Sequence, residues 1–106
     1  MDKEQMQEIS CMVIANAGEA FDCFRQGVEA ALDDRFEQCD QLMAKGEQAL
    51  LLAHKSQTDL LTAEMRGAEL PFSILLVHAQ DHLMRAANYQ QFAKDTIRLY
   101  KKIKEK

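Results

Sequence analysis

The sequence predicts an all-α fold, an antiparallel three-helix bundle that runs up, down and up. Apolar residues recur every three or four positions along three long segments, which is the spacing of one helix face. Turn residues are too scarce for a β-sandwich or barrel, because 106 residues contain one proline and four glycines. The length suits one domain over residues 1–106, and a composition of 47% hydrophobic and 28% charged residues excludes a disordered chain.

The first helix is predicted over about residues 3–32. Asp2 and Gln5 have the spacing of a capping box at its start. Gly18 and Gly27 interrupt the helical pattern, and each costs about 1 kcal/mol relative to alanine. Glycines retained at that cost indicate close helix approach or room for a ligand. The predicted inner face comprises Met6, Ile9, Val13, Ala17, Ala20, Phe24, Val28 and Ala31.

The second and third helices are predicted over residues 34–67 and 72–103. Asp34 and Glu37 have capping-box spacing, and Gly67 is a typical helix terminator. Pro71 favours a helix start immediately after it. The inner face of the second helix is predicted to contain Phe36, Cys39, Met43, Leu50, Ala53, Gln57, Leu60 and Leu61. That of the third is predicted to contain Leu76, Ala79, Leu83, Ala86, Ala93, Ile97 and Tyr100.

The net charge of −4 is unevenly distributed. Residues 1–93 carry 7 basic and 15 acidic side chains, whereas residues 94–106 have a balance of +4. The basic end complements the negative end of a final helix. The acidic remainder repels DNA, so we expect no nucleic-acid partner.

The sequence also argues against a membrane or secreted protein. The longest apolar run covers residues 49–53, far short of the roughly 20 residues of a membrane helix. The opening Met1-Asp2-Lys3-Glu4 is unlike a signal peptide. Three cysteines without a C-x-x-C pair fit neither a disulfide framework nor a zinc ribbon, and indicate small buried thiols. We therefore expect a cytoplasmic protein without direct membrane insertion.

A cluster of titratable residues interrupts the apolar stretch over residues 74–84. His78 and His82 are four residues apart and share one helix face, and Asp81 lies beside them. Such groups are costly in an apolar run unless they are paired, hydrated or bound to a ligand, which indicates function. A cation shared by three copies of the chain is one way to accommodate Asp81. Exposure to solvent, or a hydrogen bond to a neighbouring helix, is the alternative.

Two chemistries fit the histidine pair. The H-x-x-x-H spacing occurs in zinc proteases, but Ala79 stands where their general-base glutamate follows the first histidine. A nucleophilic histidine that carries a phosphoryl group fits better. The sequence contains no Walker loop and no G-x-G-x-x-G motif, so the phosphoryl group would come from a donor protein and pass to an acceptor protein.

The block from Leu75 to Met84, LLVHAQDHLM, resembles the signature of the lactose/cellobiose-type IIA components of the bacterial phosphoenolpyruvate-dependent sugar phosphotransferase system. The resemblance extends along the chain, and the length and three-helix layout agree with it. Further matching residues are Ala17-Gly18-Glu19-Ala20, Ala53-His54, Gln57-Thr58 and Leu99-Tyr100-Lys101-Lys102. Phe21-Asp22 departs from the Arg-Ser that relatives often carry, and Leu51-Leu52 from a more polar pair.

The resemblance implies roles for four residues of the block. His78 matches the histidine that accepts a phosphoryl group from phospho-HPr and passes it to a cysteine of the cognate IIB, which in turn serves the IIC sugar permease. Gln80 and His82 match polar neighbours that orient and stabilise the group. Asp81 matches the aspartate that three subunits bring together around a divalent metal ion, magnesium by expectation, on the threefold axis of a homotrimer.

Two second-helix residues, His54 and Gln57, match positions near the same groove. The implied function is phosphoryl transfer during uptake of a lactose-, cellobiose- or chitobiose-type sugar, with the choice of sugar made mainly by the membrane component. Two rival hypotheses keep the fold without a covalent phosphate: a helical module that binds divalent metal through its histidines, and a purely structural interaction bundle.

Overall fold

The computed structural model describes residues 1–106 and contains three α-helices and no strand. Helix α1 spans Lys3–Leu32, α2 spans Phe36–Met65 and α3 spans Ile74–Lys104. They form a rod of 56 × 20 × 19 Å in which α1 packs along both other helices, whereas α2 and α3 meet over a shorter stretch. The predicted all-α, three-helix fold is confirmed. No helix combines the length and apolarity needed to cross a bilayer.

Local sequence accounts for the starts of α1 and α3. Asp2 accepts a hydrogen bond from the backbone N–H of Gln5 at 2.8 Å, and the Gln5 side chain accepts from the backbone N–H of Asp2 at 3.0 Å. This is the predicted capping box. At α3 the Ser73 hydroxyl accepts from the backbone N–H of Leu76, so the helix begins just after the Pro71 loop.

The prediction that Asp34 caps α2 is wrong. Asp34 has a φ of 63°, and its N–H donates to the carbonyl of Ala31 while the next N–H, of Arg35, donates to that of Ala30. These two bonds form a Schellman motif, so Asp34 closes α1 instead of opening α2. Helix α2 starts at Phe36 without a side-chain cap. At its other end Gly67, with a φ of 97°, terminates α2 through the same motif, as predicted.

The core is narrow because small residues bring the helices together. Phe24 and Leu83 are its largest fully buried members, and most of the rest are alanines. A Cβ at Gly46 would lie 2.6 Å from the Phe24 ring, so only glycine allows this ring to pack against α2. Gly27 likewise approaches Met43 closely, as its retention inside the helix suggested. Leu61, predicted to face inward, is 49% exposed.

Two of the three cysteines are buried as expected, but Cys11 is exposed. Burial raises the pKa of the Cys23 and Cys39 thiols, which keeps them protonated and unreactive. The three cysteines are free thiols.

A polar cluster fastens the C-terminal end of α3 to the turn after α1. The Asp34 carboxylate accepts a hydrogen bond from the Tyr100 hydroxyl at 2.7 Å and pairs with the Lys104 ammonium at 2.8 Å. The hydrogen bonds from Lys104 and Tyr100 lower the pKa of Asp34, and the same contacts raise the pKa of both partners. This cluster marks the end of the bundle opposite to the histidines.

Candidate functional site

The two histidines predicted from their spacing form a pair on α3. Nε2 of His78 lies 3.1 Å from Nε2 of His82, and the ring centroids are 4.5 Å apart with an interplanar angle of 84°. One neutral ring therefore donates a hydrogen bond and the other accepts it. His78 is exposed and His82 is half-buried, so the outer ring can reach a partner protein while the inner ring supports it.

The helical environment explains why the pair is held this way. Ala79 and Leu83, the residues that follow each histidine, are fully buried against α1 and anchor this stretch of α3 in the core. Consecutive residues on a helix point about 100° apart, so both histidines emerge at the edge of the buried stripe. The pair is thus presented on a firmly packed helix instead of a loop.

The structure brings Gln80 to Gln57 of α2. The Gln80 amide donates to the side-chain oxygen of Gln57 at 3.4 Å, and both residues are half-buried. This bond joins α2 and α3 beneath a cavity of about 290 Å³ that extends to Pro71 and the loop before α3. His54 is exposed, and no hydrogen bond joins it to the histidine pair.

Asp81 lies on the surface of the single chain. It is exposed, and it makes no ion pair or hydrogen bond within the chain. No group of three or more His, Cys, Asp or Glu side chains is arranged to hold a metal ion within one chain. The apolar residues around Asp81 on α3 are also exposed: Ile74 at 77%, Val77 at 53% and Met84 at 49%. A free carboxylate is a suitable oxygen ligand for a hard cation, provided that other copies of the chain supply the remaining ligands.

Sequence reasoning missed one part of the site. A cavity of about 180 Å³ beside His82 is lined by Asp22 and Gly18 of α1 and by Arg85 of α3. Arg85 could have been found from the sequence, because it is three residues after His82 and seven after His78 and so shares their side of the helix. The approach of Asp22 depends on how α1 and α3 pack, which no local pattern reveals.

Comparison with known proteins identifies the family. The model of the PTS system lactose/cellobiose-specific IIA subunit family matches residues 8–101, nearly the whole chain. The chain belongs to this family. It is therefore a phosphotransferase component, and the family supports a phosphocarrier role in a sugar phosphotransferase system.

The lactose/cellobiose IIA chain is similar along its length to individual family members. It is 34% identical to the lactose-specific EIIA component of Staphylococcus epidermidis over 96% of this chain and 98% of that protein. It is 33% identical to the lactose-specific EIIA component of Lactococcus lactis over 96% and 97% of the two chains. The crystal structure of the cellobiose-specific enzyme IIA from Bacillus anthracis superposes with a TM-score of 0.92 at 35% identity, covering 100% of this chain and 95% of that one.

Proposed function

We propose that this IIA chain accepts a phosphoryl group from phospho-HPr on His78 and passes it to a cysteine of the cognate IIB. The observation that carries the proposal is the exposed His78 ring with its Nε2 atom 3.1 Å from that of His82. The family match and the HAQDH sequence of residues 78–82 support it. The sugar that the IIC permease then imports is of the lactose, cellobiose or chitobiose type, and the relay operates in the cytoplasm.

The transfer is a pair of displacements at phosphorus. A neutral His78 ring nitrogen attacks with its lone pair, the bond from phosphorus to the donor atom of HPr breaks, and that atom keeps the electron pair. His78 releases a ring proton as the donor takes one up. In the second step a cysteine thiolate of IIB attacks phosphorus, the N–P bond breaks, and the imidazole regains its electron pair and a proton.

His82 is suited to assist both steps without carrying the phosphate. Its ring nitrogen is within hydrogen-bonding distance of Nε2 of His78, so it can hold the His78 ring in the tautomer that has a lone pair at that atom. It can also donate a hydrogen bond to the phosphoryl oxygens where negative charge builds. Gln80, held by Gln57, stiffens the contact between α2 and α3 next to the reacting ring.

The same proposal includes a homotrimer around a divalent cation, magnesium by preference. The exposed Ile74, Val77 and Met84 on both sides of Asp81 favour burial against other copies. Three Asp81 carboxylates drawn together repel one another, and a bound divalent ion supplies the positive charge that offsets this repulsion. The role of the ion is structural, and no transfer step requires it.

Reconstitution of the relay tests the proposal. The purified chain is incubated with phosphoenolpyruvate, enzyme I and HPr, and the cognate IIB is then added. We expect an acid-labile phosphate on the chain, followed by phosphate on the IIB cysteine, with neither in a reaction lacking HPr. A metal-binding module or an interaction bundle carries no covalent phosphate, so an unlabelled chain that still binds divalent metal or partner helices would favour those rivals.

A further inference from the structure

A small cavity lies beside His82 on the side of the site that faces α1. Its volume is about 180 Å³, and its wall includes Gly18, Asp22, His82 and Arg85. A Cβ at Gly18 would meet no atom within 4 Å, so this glycine leaves open space instead of allowing close packing. The cavity is large enough to receive a small group that is bound at His78, one helical turn before His82.

Arg85 is the unpaired cation of this cavity. The ion pairs of the chain involve other lysines and arginines, and none includes Arg85. Between Ile74 and Ala93 it is the one Lys or Arg of α3. The rest of residues 1–93 is strongly acidic, so a dianionic group on His78 enters a region of negative charge in which Arg85 is the local source of attraction.

The helix places the guanidinium within reach of the histidine pair. Arg85 follows His78 by seven residues, which is about two turns and about 10.5 Å along the axis, on nearly the same face. Helical side chains incline toward the N-terminus, so the Arg85 side chain extends back toward His82 and His78. The planar guanidinium presents paired N–H donors that match two oxygens of a phosphoryl group.

We propose that Arg85 binds the phosphoryl oxygens of phosphorylated His78 and that Asp22, on the opposite wall of the cavity, weakens this hold. The inference rests on the proposed function, since it concerns the group carried by His78. The charged or titratable groups that line the cavity are Asp22 of α1 and His82 and Arg85 of α3, and α2 contributes none. Asp81 precedes His82 on α3 and is exposed. Arg85 thus raises, and Asp22 lowers, the share of phosphate that the chain retains.

Variants that remove the positive charge of Arg85 or the negative charge of Asp22 test the proposal. Arg85→Gln should lower the equilibrium share of phosphate taken from phospho-HPr about fivefold, and Arg85→Lys should restore part of it. Asp22→Asn should raise that share and slow onward transfer to IIB. In a phosphorus NMR titration, Arg85→Gln should raise the second pKa of the phosphoryl group by about half a unit. Arg98→Gln, on the same helix but about 30 Å from His78 along the helix axis, should change neither measurement.

The NMR titration also separates this inference from the relay. Phosphoramidate, which transfers its phosphoryl group to histidine with release of ammonia, labels His78 without HPr, and the His78 signal is identified by its loss in His78→Ala. If phospho-HPr fails to label the wild type but Arg85→Gln still shifts the phosphoryl pKa, only the relay is wrong. If Arg85→Gln matches Arg98→Gln in both measurements, or if Asp22→Asn and Arg85→Gln change the share in the same direction, the inference is overturned.

Discussion

The Nε2 atoms of His78 and His82 lie 3.1 Å apart, so the exposed His78 ring is hydrogen-bonded to a ring that is half withdrawn from solvent. In the proposed relay, a phosphoryl group on Nε2 of His78 would take the place of this hydrogen bond, and His82 would then be free to donate to a phosphoryl oxygen. Under this proposal, His82 would support the His78 ring before transfer and the phosphoryl group after it.

Replacement of His82 by alanine should leave phosphorylation of His78 possible but slow the onward transfer to IIB by about tenfold to a hundredfold, because a hydrogen-bond donor to the phosphoryl oxygens is lost. Rapid-quench measurement of both transfer steps checks this. His54→Ala is the matched control, since His54 is an exposed histidine without a contact to the pair. Onward rates equal to wild type in His82→Ala would reduce His82 to a packing role.

The Gln57–Gln80 hydrogen bond should contribute more to stability than to transfer. Each single alanine variant should lower the free energy of unfolding by about 0.5–1.5 kcal/mol, and the double variant should cost less than the sum because the two residues share one bond. Urea denaturation of the four proteins measures the coupling. Strictly additive losses would show that the bond at 3.4 Å contributes nothing.

Asp81 should govern the response of assembly to metal. Chelation should destabilise the proposed wild-type trimer, because three carboxylates would be left to repel one another. Asp81→Leu should remain trimeric and ignore the chelator, since replacing buried charges with apolar side chains is often neutral or stabilising. Sedimentation with and without EDTA decides this. A wild type that is monomeric at every concentration, or a metal-free trimer indifferent to EDTA, contradicts the metal-centred model and leaves the role of His78 untouched.

The contacts of Asp34 with Tyr100 and Lys104 should make the stability of the fold depend on pH in the acidic range. Contacts from Lys104 and Tyr100 lower the pKa of Asp34 below its ordinary value of 3.8, so its contribution is complete above that value and is lost as the pH falls through the folded-state pKa. Asp34→Asn, in which asparagine tolerates the left-handed backbone, should lower the melting temperature at pH 7, and the difference from wild type should shrink as the pH falls through the folded-state pKa of Asp34. Asp33→Asn is the adjacent control. A difference that does not change between pH 7 and pH 2 would contradict this account.

The sequence-based predictions were confirmed for features that depend on one short segment of the chain. The Asp2–Gln5 cap, the Gly67 terminator and the His78–His82 spacing each depend on residues within a few positions of one another. Such local signals leave little room for competing structures.

Features that depend on contacts between distant segments of the chain were predicted wrongly or not predicted. Asp34 has the spacing of a cap for α2, but its carboxylate bonds Tyr100, which is 66 residues away, while its backbone closes α1. The cavity shared by Asp22 and Arg85 likewise depends on the packing of α1 against α3. Tertiary contacts of this kind outweigh the preferences that local spacing indicates. A single sequence does not reveal which residues of two packed helices face each other.

Mapping of the phosphorylated residue tests the central claim most directly. The wild type, His78→Ala and His54→Ala are each incubated with phosphoenolpyruvate, enzyme I and HPr, and the acid-labile phosphate is located by mass spectrometry at alkaline pH. The account predicts one phosphate on His78 in the wild type and in His54→Ala, and none in His78→Ala although its helical circular dichroism is unchanged. Phosphate that persists on His82 or His54 in His78→Ala, or a wild type that is never labelled, would contradict it.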